Sequence, residues 1–267
     1  MQTYAEHYQR CREVSGIKSI KYNSVYDLSL DTEFMPTNKP YIELIHRIHR
    51  HVSQKINQES NCHYDTHAIR LKRYKDITDI DMLLNMICPQ IERKVFGCYV
   101  SVDFVHIYRS RVTNKNADTS WLWHYDDCPK EFIKLMIYLN DVGEHNGCFR
   151  TLKDAEGKTP VIESFRVTPY EKIRKQIYKG SRIPQEAIDK YLNEGCEILD
   201  IVGSAGTYAL ITPNIPHCAT IPEKKCKTPR DVMLLFIRPQ MSRVNHYFNK
   251  RNWKFDSDAN VKKYALD

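Results

Sequence analysis

Residues 98–112 read CYVSVDFVHIYRSRV, a run rich in β-branched and aromatic side chains and long for a strand. Seven short apolar runs follow it: WLWHYDD (121–127), FIKLMIYLN (132–140), CFRTL (148–152), CEILDI (196–201), GTYALIT (206–212), HCATI (217–221) and DVMLLFI (231–237). Each is bounded by Gly, Pro, Asn or Asp, and strands repeated in this way predict a β-sandwich or barrel. Upstream the pattern is helical. Asn38 and Pro40 make a helix start, and Tyr41, Leu44, Ile45, Ile48 and Val52 then fall on one face. Ile80, Leu83, Leu84 and Ile87 form a second apolar stripe, which Pro89 is expected to stop, and a short helical piece runs on to a carboxyl cap at Gly97. One helical insertion, 168–195, interrupts the strands. It opens with the capping box Thr168-Pro169-Tyr170-Glu171, breaks at Gly180, and resumes from Pro184 with Ile188, Tyr191 and Leu192 until Gly195. The fold class is therefore mainly β with helical support. One domain is expected over 1–267, with a mainly helical part at 1–97, a β-core at 98–240 and a tail at 241–267.

Composition narrows the function. The chain has 267 residues, 42% of them hydrophobic and 27% charged, enough apolar material for a core and too little charge for a disordered chain. No run reaches the ~18 apolar residues of a membrane span, and MQTYAEHYQRCREV lacks the apolar stretch of a secretion signal. Nine glycines stand where ~7% average usage would give about 19. None forms a G-x-G-x-x-G or a P-loop, which excludes nucleotide binding through those two motifs. The nine cysteines are scattered without a C-x-x-C, so reduced thiols and a cytoplasmic location are expected. A net charge of +7 permits an anionic partner but is not clustered enough to make nucleic acid the expected one.

The chemistry is carried by His124-Tyr125-Asp126. On a strand, period-two geometry puts His124 and Asp126 on one face, so both can reach one metal ion. A histidine from a distant strand would complete two histidines and a carboxylate on one side of the ion, leaving the opposite positions open, as non-haem Fe(II) oxygenases need. His217, entering a strand in TPNIPHCATIP, is the natural third candidate. H-x-D alone is weak, since chance gives roughly 0.7 such tripeptides here. His63-Tyr64-Asp65, with His67 behind it, is a second match, but it sits in NQESNCHYDTHAIRL and reads as a polar surface connection between helices.

The neighbourhood of His124 is more specific. Trp123-His124-Tyr125-Asp126, the strand ending Leu139-Asn140-Asp141, Asn146-Gly147-Cys148-Phe149-Arg150, the glycine-led Gly206–Leu210, His217 and Arg230 occur in an order that resembles the phytanoyl-CoA dioxygenase-like family. The resemblance spans roughly 98 to 238. It implies a double-stranded β-helix, a jelly-roll or cupin-like barrel, that uses Fe(II), 2-oxoglutarate and O2 to oxidise a C–H bond of a small molecule, releasing succinate and CO2. His124, Asp126 and His217 would hold iron, and Arg230 would clamp the distal carboxylate of 2-oxoglutarate with its planar fork. Arg238, eight residues on along the same strand face, is the alternative clamp. Tyr108 would contact co-substrate or substrate, and Arg150 would either orient the site or pair structurally. Two positions depart from the family pattern. Ala219 stands where members carry a serine, and Thr151-Leu152-Lys153-Asp154 replaces a P-G-S-H turn. Asp126 is retained, unlike in the halogenating variants.

The remaining histidines read blandly: His46, His49 and His51 as a solvated basic helix face, His106 as a barrel-wall residue, His145 as a loop residue. Two rival functions stay open at this point. One is a metal-dependent β-barrel enzyme that does not use 2-oxoglutarate. The other is a non-catalytic barrel that binds an anionic ligand.

Overall fold

A computed structural model describes residues 2–72, 74, 76–112, 119–168 and 177–248. Two β-sheets face each other, and three helices cover the outside of the larger one. Helix α1 (Tyr4–Ser15) is closed by a capping box at Thr3 and Glu6 and ends at Gly16 in the left-handed region (φ 64°). Helix α2 (Lys39–Ile56) starts where Asn38 accepts a hydrogen bond from the Tyr41 N–H, and it buries Tyr41, Leu44, Ile45, Ile48 and Val52 as its periodicity predicts. Helix α3 (Thr78–Ile91) follows.

The large sheet is ordered β1-β8-β5-β10-β4-β3-β2, and the small one β7-β6-β9. Their strands are β1 (Leu30–Asp31), β2 (Cys62–Tyr64), β3 (Ala68–Leu71), β4 (Tyr99–Ser110), β5 (Ile133–Tyr138), β6 (Phe149–Lys153), β7 (Glu197–Ile201), β8 (Tyr208–Ile211), β9 (His217–Ala219) and β10 (Asp231–Gln240), with α4 (Gln185–Asn193) in the insertion. All pairings are antiparallel. The barrel is a double-stranded β-helix, the fold expected above.

Alternation sorts the side chains between two cores. Met233, Leu235 and Ile237 of β10 pack with Leu44, Ile48, Leu83 and Ile87 of the helices, whereas Val232, Leu234 and Phe236 point into the barrel. In β5, Leu135 and Ile137 face the helices, and Met136 and Tyr138 face inward. The long strand β4 keeps this sorting by means of a bulge. Its partner register jumps from Phe104 to Val102, leaving Asp103 as the extra residue. Val100 and Val102 before the bulge, and Val105 and Ile107 after it, therefore all reach the helical layer.

Three local expectations are corrected. Pro89 lies inside α3 rather than ending it, and the chain passes through a π-helical turn, Glu92–Phe96, before Gly97 caps it in the left-handed region. The carbonyl that proline leaves without an i−4 helical partner is that of Asn85, an exposed residue. The first third, expected to be mainly helical, also contributes β1, β2 and β3, which extend both edges of the large sheet. The His63–Asp65–His67 segment is accordingly a hairpin, not a loop: Asp65 pairs with His63 and Arg70, and His67 is buried against Arg70 and Ser120.

His49 is also less solvated than its helix face suggested. Its Nε2 lies 2.9 Å from a carboxylate oxygen of Asp231, which takes two further bonds from Arg109 at 2.7 and 2.8 Å. Asp231 is 1% exposed, and Asn140 accepts its backbone N–H. This network ties α2 to the central strands β4 and β10. Truncating a buried carboxylate leaves Arg109 without its counter-charge, so Asp231→Ala should cost about 3–5 kcal/mol of stability, measured by urea unfolding.

Candidate metal centre

The small sheet is longer than its three strands. His124 forms an antiparallel bridge with His217, and on its other side a second one with Arg182. His124 N–H donates to His217 O (2.9 Å), and His217 N–H returns the bond (2.8 Å). Two residues on, Asp126 N–H donates to Pro213 O (2.9 Å), so the ligand strand is zipped to the chain entering β9. Directly opposed residues project to the same face of a sheet, as do alternate ones along a strand. His217, His124 and Asp126 consequently converge, with their candidate ligand atoms all within 4.8 Å of one another.

The donors are prepared for a metal. His124 Nδ1–H donates to the Leu122 carbonyl and His217 Nδ1–H to the Ile215 carbonyl, both at 2.8 Å. Each bond fixes the tautomer and leaves the Nε2 lone pair for the site. Burial pushes the His124 imidazole down to about 4, with the nearby Lys134 charge acting in the same sense. The His217 imidazole is also held well below its usual value, by burial and then by His124 and Lys134. Both histidines are therefore neutral at pH 7, the ligating form. For Asp126 burial acts upward, but Lys134, His217 and His124 together keep its carboxyl below the usual range, so it is an anion. Phe149 of β6 stacks on the His217 ring at 5.3 Å and braces it. Two neutral nitrogens and one carboxylate on one side of a site suit a divalent first-row metal.

The other expected residues separate clearly. Arg230 is 2% exposed, its Nε has no hydrogen-bond partner, and no carboxylate pairs with it among the described residues. Its guanidinium is steadied by the Tyr108 hydroxyl (3.3 Å) and lies 5.6 Å from the centre of the Tyr108 ring. Arg238, by contrast, is ion-paired to Asp103 at 2.7 Å. Arg150 is engaged in a two-pronged pair with Asp200, both bonds 2.6 Å, so its fork is already filled.

Part of the insertion is bonded onto the ligand strand. Tyr125 N–H donates to Ser181 O (3.2 Å), Ile183 N–H donates to Trp123 O (2.9 Å), and Ser181 Oγ–H donates to Asp127 (2.6 Å). Ile188 of α4 packs with Tyr125, Leu152, Ile162 and Ile183. The helix expected after Thr168 falls on 169–176, and the tail beyond 248 likewise lies outside the described residues.

Two residues at the site had no motif to announce them. Asn214, fully buried, holds the chain after Asp126 by bonding both the N–H and the carbonyl of Cys128. Lys134 places its Nζ 2.5 Å from Asp126 Oδ2 and 3.4 Å from His217 Nε2. Its only trace in the sequence is a charge at an inward position of an otherwise apolar strand.

No family model matches the chain, nor does any curated protein. Solved structures do. EctD from S. alaskensis with bound Fe superposes with a TM-score of 0.53 at 11% identity, covering 88% of this chain and 85% of that one. The same protein with 2-oxoglutarate and 5-hydroxyectoine gives 0.54 at 11%, over 83% and 79% of the chains. The non-heme alpha ketoglutarate dependent carbocyclase SnoK from nogalamycin biosynthesis gives 0.51 at 10%, over 82% and 84%. What is shared is the fold. Among the described residues no helix is long and apolar enough to cross a membrane.

The histidine environment predicts a pH effect on the metal-free protein. The unfolded chain protonates this imidazole near its ordinary 6.5, whereas folded His124 resists down to about 4. The unfolded state thus binds more protons in that window, and stability falls as pH drops from 6.5 towards 4. Thermal unfolding in a chelating buffer should show this slope, and a shallower one in His124→Gln.

Proposed function

We propose that this protein is a non-haem Fe(II)/2-oxoglutarate-dependent oxygenase of the phytanoyl-CoA dioxygenase-like type, acting on a small molecule. The observation that carries the proposal is the combination of a neutral two-histidine, one-carboxylate face with a buried arginine in the same barrel that has no counter-ion among the described residues. A guanidinium withdrawn from water without a carboxylate is costly to the folded protein, and an anionic ligand would offset that cost. Support also comes from the order of the motif residues, and from neighbours of the same fold crystallised with iron and with 2-oxoglutarate.

On this reading His124, Asp126 and His217 hold Fe(II), while Arg230, steadied by Tyr108, receives the far carboxylate of 2-oxoglutarate. When bound, iron with 2-oxoglutarate and O2 supplies the oxidising power for C–H hydroxylation, with succinate and CO2 as co-products. The protein's share is geometry and exclusion of water. The carbonyls of Leu122 and Ile215 keep both imidazoles aimed at the ion. Phe104 and Phe236, stacked at 4.1 Å on the inner wall, keep the interior apolar, where a charge-assisted bond from Arg230 is strongest.

Anaerobic titration tests the assignment. Fe(II) with 2-oxoglutarate should give a visible metal-to-ligand charge-transfer band, absent in His124→Ala. Arg230→Ala removes a charge-assisted bond of about 2 kcal/mol and should weaken 2-oxoglutarate binding roughly 30-fold. Iron binding that 2-oxoglutarate leaves spectrally unchanged would instead favour a barrel enzyme without this co-substrate.

A further inference from the structure

Lys134 is the feature of the centre that the proposed function does not use. It lies on the inward face of β5, in line with Met136 and Tyr138, and is 5% exposed. Its ammonium sits 5.6 Å from the centre of the Phe236 ring, which is itself stacked on Phe104. The side chain thus crosses an apolar wall to reach two of the three candidate ligand atoms, Asp126 Oδ2 and His217 Nε2. Asp126 is its ion-pair partner, with the lysine side chain 7% exposed and the aspartate 23%.

This placement creates a conflict of charge. A divalent cation drawing on the same oxygen and nitrogen would lie close to an ammonium that contacts both, with little water between to screen the repulsion. The lysine side chain is held at this place by its ion pair with Asp126 and by the Phe236 ring beside its ammonium. A dicarboxylate entering the barrel would bring two negative charges to a site where, among the described residues, Asp126 is the carboxylate paired with Lys134. It would relieve the repulsion, and Arg230 offers its far end a partner.

We propose that Lys134 is a positioning residue that weakens dication binding by the protein alone and makes metal retention depend on a bound dicarboxylate. This rests on the metal and co-substrate reading above. Its consequence is thermodynamic coupling: the dicarboxylate tightens the metal, and the metal tightens the dicarboxylate by the same factor.

The test is Mn(II) binding followed by electron paramagnetic resonance of the free ion, with and without 2-oxoglutarate, under conditions without turnover. In the wild-type protein 2-oxoglutarate should tighten Mn(II) at least tenfold. Lys134→Met should bind Mn(II) alone at least tenfold more tightly than wild type, with 2-oxoglutarate then tightening the metal by a smaller factor than in wild type. Lys134→Gln should behave like Lys134→Met, covering the case in which the apolar replacement does not fold. Lys134→Arg should retain the wild-type coupling. The proposal is overturned if the neutral variants bind Mn(II) no more tightly than wild type, or if their coupling to 2-oxoglutarate is unchanged. Loss of the wider reading looks different: His124→Ala would then bind Mn(II) as well as wild type does, or 2-oxoglutarate would not bind to any form.

Discussion

The reciprocal pair of backbone bonds between His124 and His217 is the constraint on which the site depends. Residues 93 positions apart in sequence are brought face to face by two hydrogen bonds of 2.9 and 2.8 Å. The same two bonds join the ligand strand to the small sheet and give both imidazoles a common direction. Asp126 joins them through strand alternation. Everything farther out serves to hold this pairing: Asn214 behind it, Phe149 against the His217 ring, and the insertion at Ser181–Ile183 along its free edge.

Around that pair the barrel keeps charges that an apolar interior would normally reject. The imidazoles meet the cost of burial by staying neutral, and Asp126 meets it by pairing with Lys134. Arg230 has no such recourse among the described residues. The outer network differs in kind. Asp231, the residue next to Arg230, faces the opposite side of β10 and is fully matched by Arg109 and His49. Asp231, the first residue of β10, thus carries a matched charge outward, while Arg230 just before it carries inward a charge with no carboxylate among the described residues.

Much of this was legible in the residues. The strand runs, α2 with its asparagine cap, the left-handed Gly97 and the start of α4 after Pro184 follow from periodicity and local backbone chemistry, which act over a few positions. The H-x-D pair was legible for the same reason. Pro89 misled because a proline near the carboxyl end of a helix removes only one helical bond, while tertiary burial of Ile87, Cys88 and Ile91 holds the turn. The hairpin at 62–71 was hidden because an edge strand needs a neighbour, here β4, before it reads as a strand at all.

By itself the sequence determined the class of the fold and singled out the candidate ligands, His124 and Asp126 from strand alternation, which is local, and His217 from its place at the start of a late strand. Only the tertiary structure decided which arginine is left without a carboxylate partner among the described residues. Arg230, Arg238 and Arg150 are equivalent as letters, but Asp103 and Asp200 claim the latter two across strands. It alone also brought Lys134 into the centre, because the reach of a side chain across a barrel is a distance between sheets, and no spacing along the chain encodes that.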